Sequence, residues 1–518
     1  MKKVLSVVLS LILLIGLCGC GGGTSSTVYI ALDEVSTLDP QLVKNSTDRN
    51  VVLNIYEGLI KLDHNDTPIL AAADSYEQQG LEYTFTLRED NFWSDGTPLT
   101  AYDFQFAFRR AASPDTNAPD FAKISCIKGA RAVKNGAAKE NLAVYAVDDR
   151  TLKITLEHAD ENFLETLASP ICMPCNEKFF KDQNGKYGRQ GESVLSNGSF
   201  YVYSWNSEKY RIRLKKNPHY EGNFPAESSE IYLTAADSET ALTQLVDNDI
   251  DLAFISSTLR DEADRKGLNA QSYFDHYLFI FINKQGPLGA SSVRRALSLS
   301  IHRNALENEM PSYLIPLNAV IQPDALFEGE GIYGELAGSS GLKYLPDEAY
   351  SLYLDYTKQA SVPRNLSIIY PEEFKIDNLT ASVAAGWQQS LGCFINMEAQ
   401  SSNAAVLSRI KSGDYTVAIC ALGAGDKNAY DLLTQFRKGN DFGFSNSQYD
   451  AVLNSLHAKS GIEAYTAALR DAQKILLADC SILPLAATPT VVCTTSAVTN
   501  VNYSIINEYI DFASIKKN

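Results

Sequence analysis

Tyr83-Thr84-Phe85-Thr86-Leu87-Arg88, followed by Trp93-Ser94-Asp95-Gly96-Thr97-Pro98-Leu99-Thr100-Ala101, is the stretch from which the fold is read. Tyr83, Phe85 and Leu87 alternate with polar partners, the period-two pattern of a strand with one buried face. Asp95-Gly96 supplies turn chemistry beside an aromatic, so Trp93 to Gly96 reads as a packed ring next to a tight turn that serves folding. Thr100 to Asp103 is a capping-box variant, and Phe104, Ala107, Phe108 and Ala111 recur behind it at helical spacing.

Outward from there, Leu152, Ile154 and Leu156, then Ile212 and Leu214, repeat the strand alternation, so the chain from Val28 to about Asn283 reads as mixed α+β. Beyond Asn283 helices alternate with single strands. Val293, Ala296, Leu297, Ile301 and Ala305 share one helical face, and Leu379, Val383, Trp387 and Leu391 share another. Short strand-like runs lie at Leu366 to Tyr370, Cys393 to Met397 and Tyr415 to Ala421. A late helix is marked by Tyr465, Leu469, Ala472 and Leu476, and Pro484 to Thr494 is strand-like again. This alternation predicts an α/β domain with a largely parallel sheet. At 518 residues the chain is too long for one ordinary domain.

The 45 basic residues stand against 62 acidic ones, a formal charge of −17, which argues against a nucleic-acid partner. The one strongly apolar run, Val4 to Leu17, is shorter than the roughly 20 residues of a spanning helix. Lys2 and Lys3 precede it and small residues follow, the pattern of a secretory signal. Leu17-Cys18-Gly19-Cys20 resembles a bacterial lipobox, which implies signal residues 1–19, a lipid on Cys20 and a flexible tether over 20–27.

Seven cysteines remain, at 126, 172, 175, 393, 420, 480 and 493. Their number is odd, so at least one is unpaired. Cys172-Met-Pro-Cys175 has the spacing of a zinc half-site but lacks a second half, so packed thiols or a local disulfide are expected and no metal. Nucleophilic chemistry lacks its signatures: there is no GxSxG elbow, and His64, His158, His219, His276, His302 and His457 are scattered. Gly329-Glu-Gly331-Ile-Tyr-Gly334 matches GxGxxG by letter, but no strand leads into it, so dinucleotide binding is not expected. Asp148-Asp149 and Glu372-Glu373 read as solvated acids. The chain is therefore expected to be neither an enzyme nor a cofactor carrier.

At Leu38-Asp39-Pro40, Tyr56-Glu57-Gly58-Leu59, Tyr83 to Arg88 and Trp93 to Ala101 the sequence resembles the extracytoplasmic solute-binding proteins of oligopeptide and dipeptide ABC importers, bacterial family 5. Asn197-Gly-Ser-Phe200 with Trp205, Asn217-Pro218 with Tyr220, Ile250-Asp251, Asn283 and Val293 to Leu297 followed by Ile301-His-Arg303 continue the match, which runs from about Val28 to Thr494. The resemblance implies an α/β, two-lobed periplasmic-binding-protein-like fold of type II with an extra N-terminal subdomain. Lobe I would comprise 28–70, 194–282 and 497–518, its inserted subdomain 71–193, and lobe II 283–496, with a hinge near Asn283 and Ser496.

A receptor for many peptides must draw its affinity from backbone amides and charged termini, so the ligand is expected to add as a strand between the lobes. By resemblance, one edge comes from Asn45, Ser46 and Thr47, and the other from Ala421 to Gly425, including Gly423 and Ala424. Asp426 aligns with the family's partner for the peptide ammonium. Gly423 and Lys427 stand where relatives carry Trp and Tyr, and Ile419 or Cys420 where they carry Arg. Lys375 falls near another family position for a basic residue or is a solvated Lys at a helix entry, and Tyr277 and Phe279 either line the cleft near the hinge or pack the strand. The resemblance implies a small peptide ligand, an ABC permease as partner, a monomer held by its lipid at the outer face of the cytoplasmic membrane, and no cofactor. The departures keep open a receptor for a metal chelate, haem or sugar, or a peptide-pheromone sensor.

Overall fold

The structure is a computed structural model that describes residues 26–160, 162–321, 326–327, 330–331, 342–358, 365–423, 429–456 and 462–518. In chain order the principal elements of the first half are β1 (Thr27–Leu32), α1 (Ser46–Ile55), β2 (Ala73–Gln79), β3 (Glu82–Leu87), α2 (Ala101–Ala112), β4 (Val144–Ala146), β5 (Thr151–Thr155), β6 (Phe200–Asn206), β7 (Arg211–Lys216), β8 (Glu230–Ala235), α3 (Ser238–Val246) and β9 (Leu252–Ile255). The second half adds β10 (Asn269–Ile282), α4 (Ser291–Leu299), β11 (Asn365–Pro371), α5 (Asp377–Leu391), β12 (Phe394–Gln400), α6 (Asn403–Ser412), β13 (Val417–Gly423), α7 (Ile462–Asp479) and β14 (Ile482–Thr494).

One sheet runs through the molecule in the order β12-β11-β13-β10-β14-β9-β1-β8-β7-β6, with Ile315–Pro316 pairing β14 from the side. Pairs of β1 with β8 and β9, and of β11 with β12 and β13, are parallel, and the remaining pairs are antiparallel. A separate antiparallel sheet, β2-β3-β5-β4, belongs to the N-terminal insertion. The architecture is the expected α/β, two-lobed periplasmic-binding-protein-like one.

The cores show where one lobe gives way to the other. Val28 and Ile30 pack in one continuous core with Phe85, Trp93, Phe104, Phe512 and Ile515, so the insertion and the first lobe share an interior. In the second lobe successive residues of β10 bury on opposite faces of the sheet: Tyr277, Phe279 and Phe281 on one, Leu278, Ile280 and Ile282 on the other. On the other side of the boundary, Ala270 packs with the α3 layer and Tyr273 against the first core. The crossing therefore lies at Asp275-His276 and Thr488-Pro489, where the β10–β14 register also shifts, and not near Asn283 and Ser496. Asn283 is already inside the second lobe, where its amide donates to the carbonyls of Gly413 (3.2 Å) and Tyr415 (2.9 Å).

The quoted sequence blocks are structural ties. Trp93 is fully buried, its indole donating to Asp103 Oδ2 (3.4 Å), and Asp103 accepts from the Thr100 amide (2.8 Å) as a capping box. Gly96 takes the turn at φ +85°. Asp39 is clamped by Arg110, and Glu57 by the Tyr220 hydroxyl and Arg88. The helix read across Val293 to Ala305 stops at Leu299, and Ile301 lies between it and a second short helix, Arg303–Leu306.

All seven described cysteines are free and buried, so Cys172 and Cys175 are packed thiols and not a disulfide; burial pushes both up to about 12. Of Gly329 to Gly334 only Glu330 and Gly331 are described, as half of a two-residue ladder with Leu326–Phe327.

Candidate functional site

A cleft of about 480 Å³ opens where β10 and β14 cross. The first lobe contributes Ser46, Thr47 and Asn50 from α1 and Ser256 and Ser257 after β9, while the second contributes Glu373, Phe374 and Asn403. His276 and Thr488 to Val491, from the crossing strands, complete it. Asn45 orients the first wall: its side chain accepts from the Asp48 amide (2.7 Å) and caps α1, whose first-turn residues Ser46 and Thr47 line the cleft. Asp48 is itself fixed by the Ser36 amide (2.7 Å) and hydroxyl (2.6 Å).

The floor carries a charge network. Asp275 Oδ1 accepts from His276 Nδ1 (2.8 Å) and from the Thr490 amide (3.1 Å), and Asp275 Oδ2 accepts from the Tyr503 hydroxyl (2.6 Å). Burial acts to raise the Asp275 carboxyl, yet His276 and these hydrogen bonds hold it below its usual range. Burial likewise works against the charged imidazole, but the Asp275 carboxylate beside it raises His276 to about 9. His276 is thus a cation at neutral pH. With Nδ1 committed to Asp275, Nε2 lies beside Gly423, 3.7 Å from where a β-carbon on that glycine would stand.

A second pair closes the same end of the cleft. Arg49 on α1 bonds Glu508 (2.5 Å), whose carbonyl accepts from Asn50 (3.2 Å) and whose backbone is left-handed at φ +49°. Glu508 Oε1 would lie 3.2 Å from a β-carbon at Gly423, so a glycine there lets the end of β13 approach the first lobe. Asp33 and Glu373 add carboxyl groups to the walls, burial raising that of Asp33. The hydroxyl of Thr488, a residue 2% exposed, has no protein partner. Such a constellation suits a small solute carrying both charges and several hydrogen-bonding groups. Among the described residues no cluster of three His, Cys, Asp or Glu could hold a metal ion.

Of the residues singled out from sequence, Ser46 and Thr47 line the cleft, and Gly423 sits at its end opposite His276. Asn45 positions the wall as a helix cap. Tyr277 does not reach the cleft: it is 2% exposed, packs in the second lobe's core and donates its hydroxyl to the Phe274 carbonyl (3.1 Å), because alternate residues of a strand point opposite ways. Lys375 is exposed, one residue beyond Phe374, in a left-handed turn at φ +45°. Ala424, Gly425 and Asp426 lie outside the described residues, as does Cys20.

The strand edge expected to receive a ligand backbone is partly taken. Asn403 accepts from the Ala421 amide (2.8 Å) and donates to its carbonyl (2.9 Å), and Gln435 donates to the Gly423 carbonyl (2.8 Å). Sequence reasoning missed Asn403, Glu508 and His276. Only the last had a signal, since the charged pair Asp275-His276 directly precedes the apolar run Tyr277 to Ile282 of the same strand.

With this geometry in view, the family model for bacterial extracellular solute-binding proteins, family 5 Middle, matches residues 67–444. The chain belongs to that family. Among relatives of this family 5 protein, the oligopeptide-binding protein OppA of Bacillus subtilis (strain 168) is 26% identical over 519 residues, 94% of each chain. The dipeptide-binding protein DppE of the same strain is 23% identical over 468 residues, 88% of this chain and 85% of the relative. The structure of Listeria monocytogenes OppA bound to peptide superposes with a TM-score of 0.79 at 22% identity, covering 96% of this chain and 100% of the other. The family 5 protein thus has its relatives' fold along nearly its whole length.

Proposed function

We propose that the chain is a lipid-anchored extracytoplasmic receptor that closes its lobes on oligopeptides or dipeptides and passes them, unaltered, to an ABC transporter permease. The observation that carries this reading is the cleft itself, walled by both lobes at the strands that join them and bearing one fixed cation, several acids and a ring of hydroxyls. The peptide names of its relatives support it. Asp426 is assigned the peptide ammonium, and His276 is the described cation best placed for the carboxylate. Cys20 is the lipid site, with Gly21 to Ser26 as tether at the outer face of the membrane. No described helix is long and apolar enough to cross a membrane. The receptor acts as a monomer and without catalysis.

Calorimetry against a mixed peptide library tests this, with affinities expected at micromolar or tighter, on the order of −8 kcal/mol. Acetylating the peptide N-terminus or replacing Asp426→Asn should each weaken binding, by roughly 3–5 kcal/mol if the ammonium is left buried without its partner. Unchanged affinity in both would remove Asp426 from the site. The occupied edge at Ala421 favours a second reading, a non-peptide solute such as a metal chelate, haem or sugar. Mass spectrometry of the solute carried by protein taken from its native membrane separates the two.

A further inference from the structure

A second cavity, about 640 Å³, lies on the N-terminal insertion, away from the crossing strands. Helix α2 supplies Phe106, Arg109 and Arg110 to its wall, and Phe180, Arg189 and Lys139 come from the segments packed around it. Arg110 is fully committed: it clamps Asp39, donates to Gln41 Oε1 (2.5 Å) and stacks over Phe180 (4.5 Å to the ring centre). Arg109 is different. Its Nε is buried without an acceptor, and among the described residues no carboxylate lies within ion-pair distance of Arg109, Arg189 or Lys139. Of the two acids in the lining, Asp39 is spent on Arg110, and Asp115 is exposed at the rim. Phe106 and Phe180, 5.6 Å apart, make an apolar wall beside these cations.

In a chain of net charge −17, three uncommitted cations converging on one concave, ring-lined surface are a local reversal of sign. A guanidinium whose buried nitrogen lacks an acceptor is short of a hydrogen bond that an oxyanion would make with charge assistance. We propose that this pocket binds a small oxyanion, a carboxylate or phosphate, carried on a flat apolar body that lies against Phe106 and Phe180. The proposal is independent of what the interlobe cleft holds.

Calorimetry on the full chain at low salt, with inorganic phosphate, phenyl phosphate, benzoate and phenol as probes, tests it. Phenyl phosphate or benzoate should bind more tightly than inorganic phosphate, phenol should give no saturable heat, and added salt should weaken the anions. Which aryl anion is the tighter decides between phosphate and carboxylate. The exposed pair Lys139→Gln/Arg189→Gln, which leaves the packing untouched, should weaken the aryl anions about tenfold or more, and Arg109→Met should do the same. Binding of the cleft solute should be unchanged in both variants. No anion binding below about 10 mM, equal binding of phenol and benzoate, or full affinity in the Lys139/Arg189 variant would each overturn the proposal.

Discussion

The two lobes are built on different terms. In the first, the sequence blocks that stand out are spent inside: Asp39 on Arg110, Glu57 on Arg88 and Tyr220, Trp93 on Asp103. One core joins insertion and lobe into a single body. In the second, two cores flank a sheet whose far strands end at the cleft, and polar side chains such as Asn403 and Gln435 hold the exposed edge. The contrast teaches that conspicuous motifs can report the scaffold. The cleft's character is set by inconspicuous residues on the second lobe and on the strands that join the lobes.

The largest effect that would break this comparison is at the first lobe's buried pair. Arg110→Met leaves the Asp39 carboxylate, 2% exposed, without its cation, and should cost about 3–5 kcal/mol in denaturant unfolding with cleft affinity unchanged. A loss below about 1 kcal/mol would show that the pair is not holding the scaffold. Asn403→Ala should destabilise by about 1–2 kcal/mol and speed amide exchange at Ala421. If peptides add along this edge, the variant should also bind trialanine several-fold more tightly, about three- to tenfold, because a competitor for the edge is gone. Weaker trialanine binding would mean that Asn403 itself contacts the ligand.

The crossing strands sharpen the contrast through pH. His276 is raised in the folded state, so its contribution is complete below its unfolded value of 6.5 and fades as pH climbs through about 9. Asp275 is depressed, so its contribution holds above 3.8 and is lost as pH falls through its lower folded value. The stability gap between wild type and His276→Gln should therefore be widest between about pH 4 and 6.5, shrink through neutrality and be lost by about pH 10. A constant gap would place the role of His276 in packing. The smallest effect is expected at Lys375→Ala, within about 0.5 kcal/mol in both stability and binding, because its side chain is exposed beyond the cleft wall.

Much of the fold could be read from local pattern. Tyr83, Phe85 and Leu87 do form a strand, Thr100 and Asp103 do cap a helix, and Leu379 to Leu391 do bury one face of another. The site was less accessible because its geometry is tertiary. Glu508 meets Arg49 across almost the whole chain, and Asn403 looks like an ordinary first-turn residue until the Ala421 edge is placed beside it. Of the two readings open for Tyr277, strand packing is the one its burial matches; one residue of pleat separates this core side chain from His276 in the cleft. The change of core in mid-strand was marked in the sequence only by Asp275-His276, ahead of the apolar run Tyr277 to Ile282 that ends at Asn283.

The claim at the centre is that the cleft holds a small peptide and returns it whole. Equilibrium dialysis of the purified chain against a mixed tripeptide library, with mass spectrometry of what is retained and then released by denaturant, tests it most directly. The account predicts intact peptides retained at one per chain, with less retained by His276→Gln. Retention of none, or recovery of cleaved fragments, would contradict it.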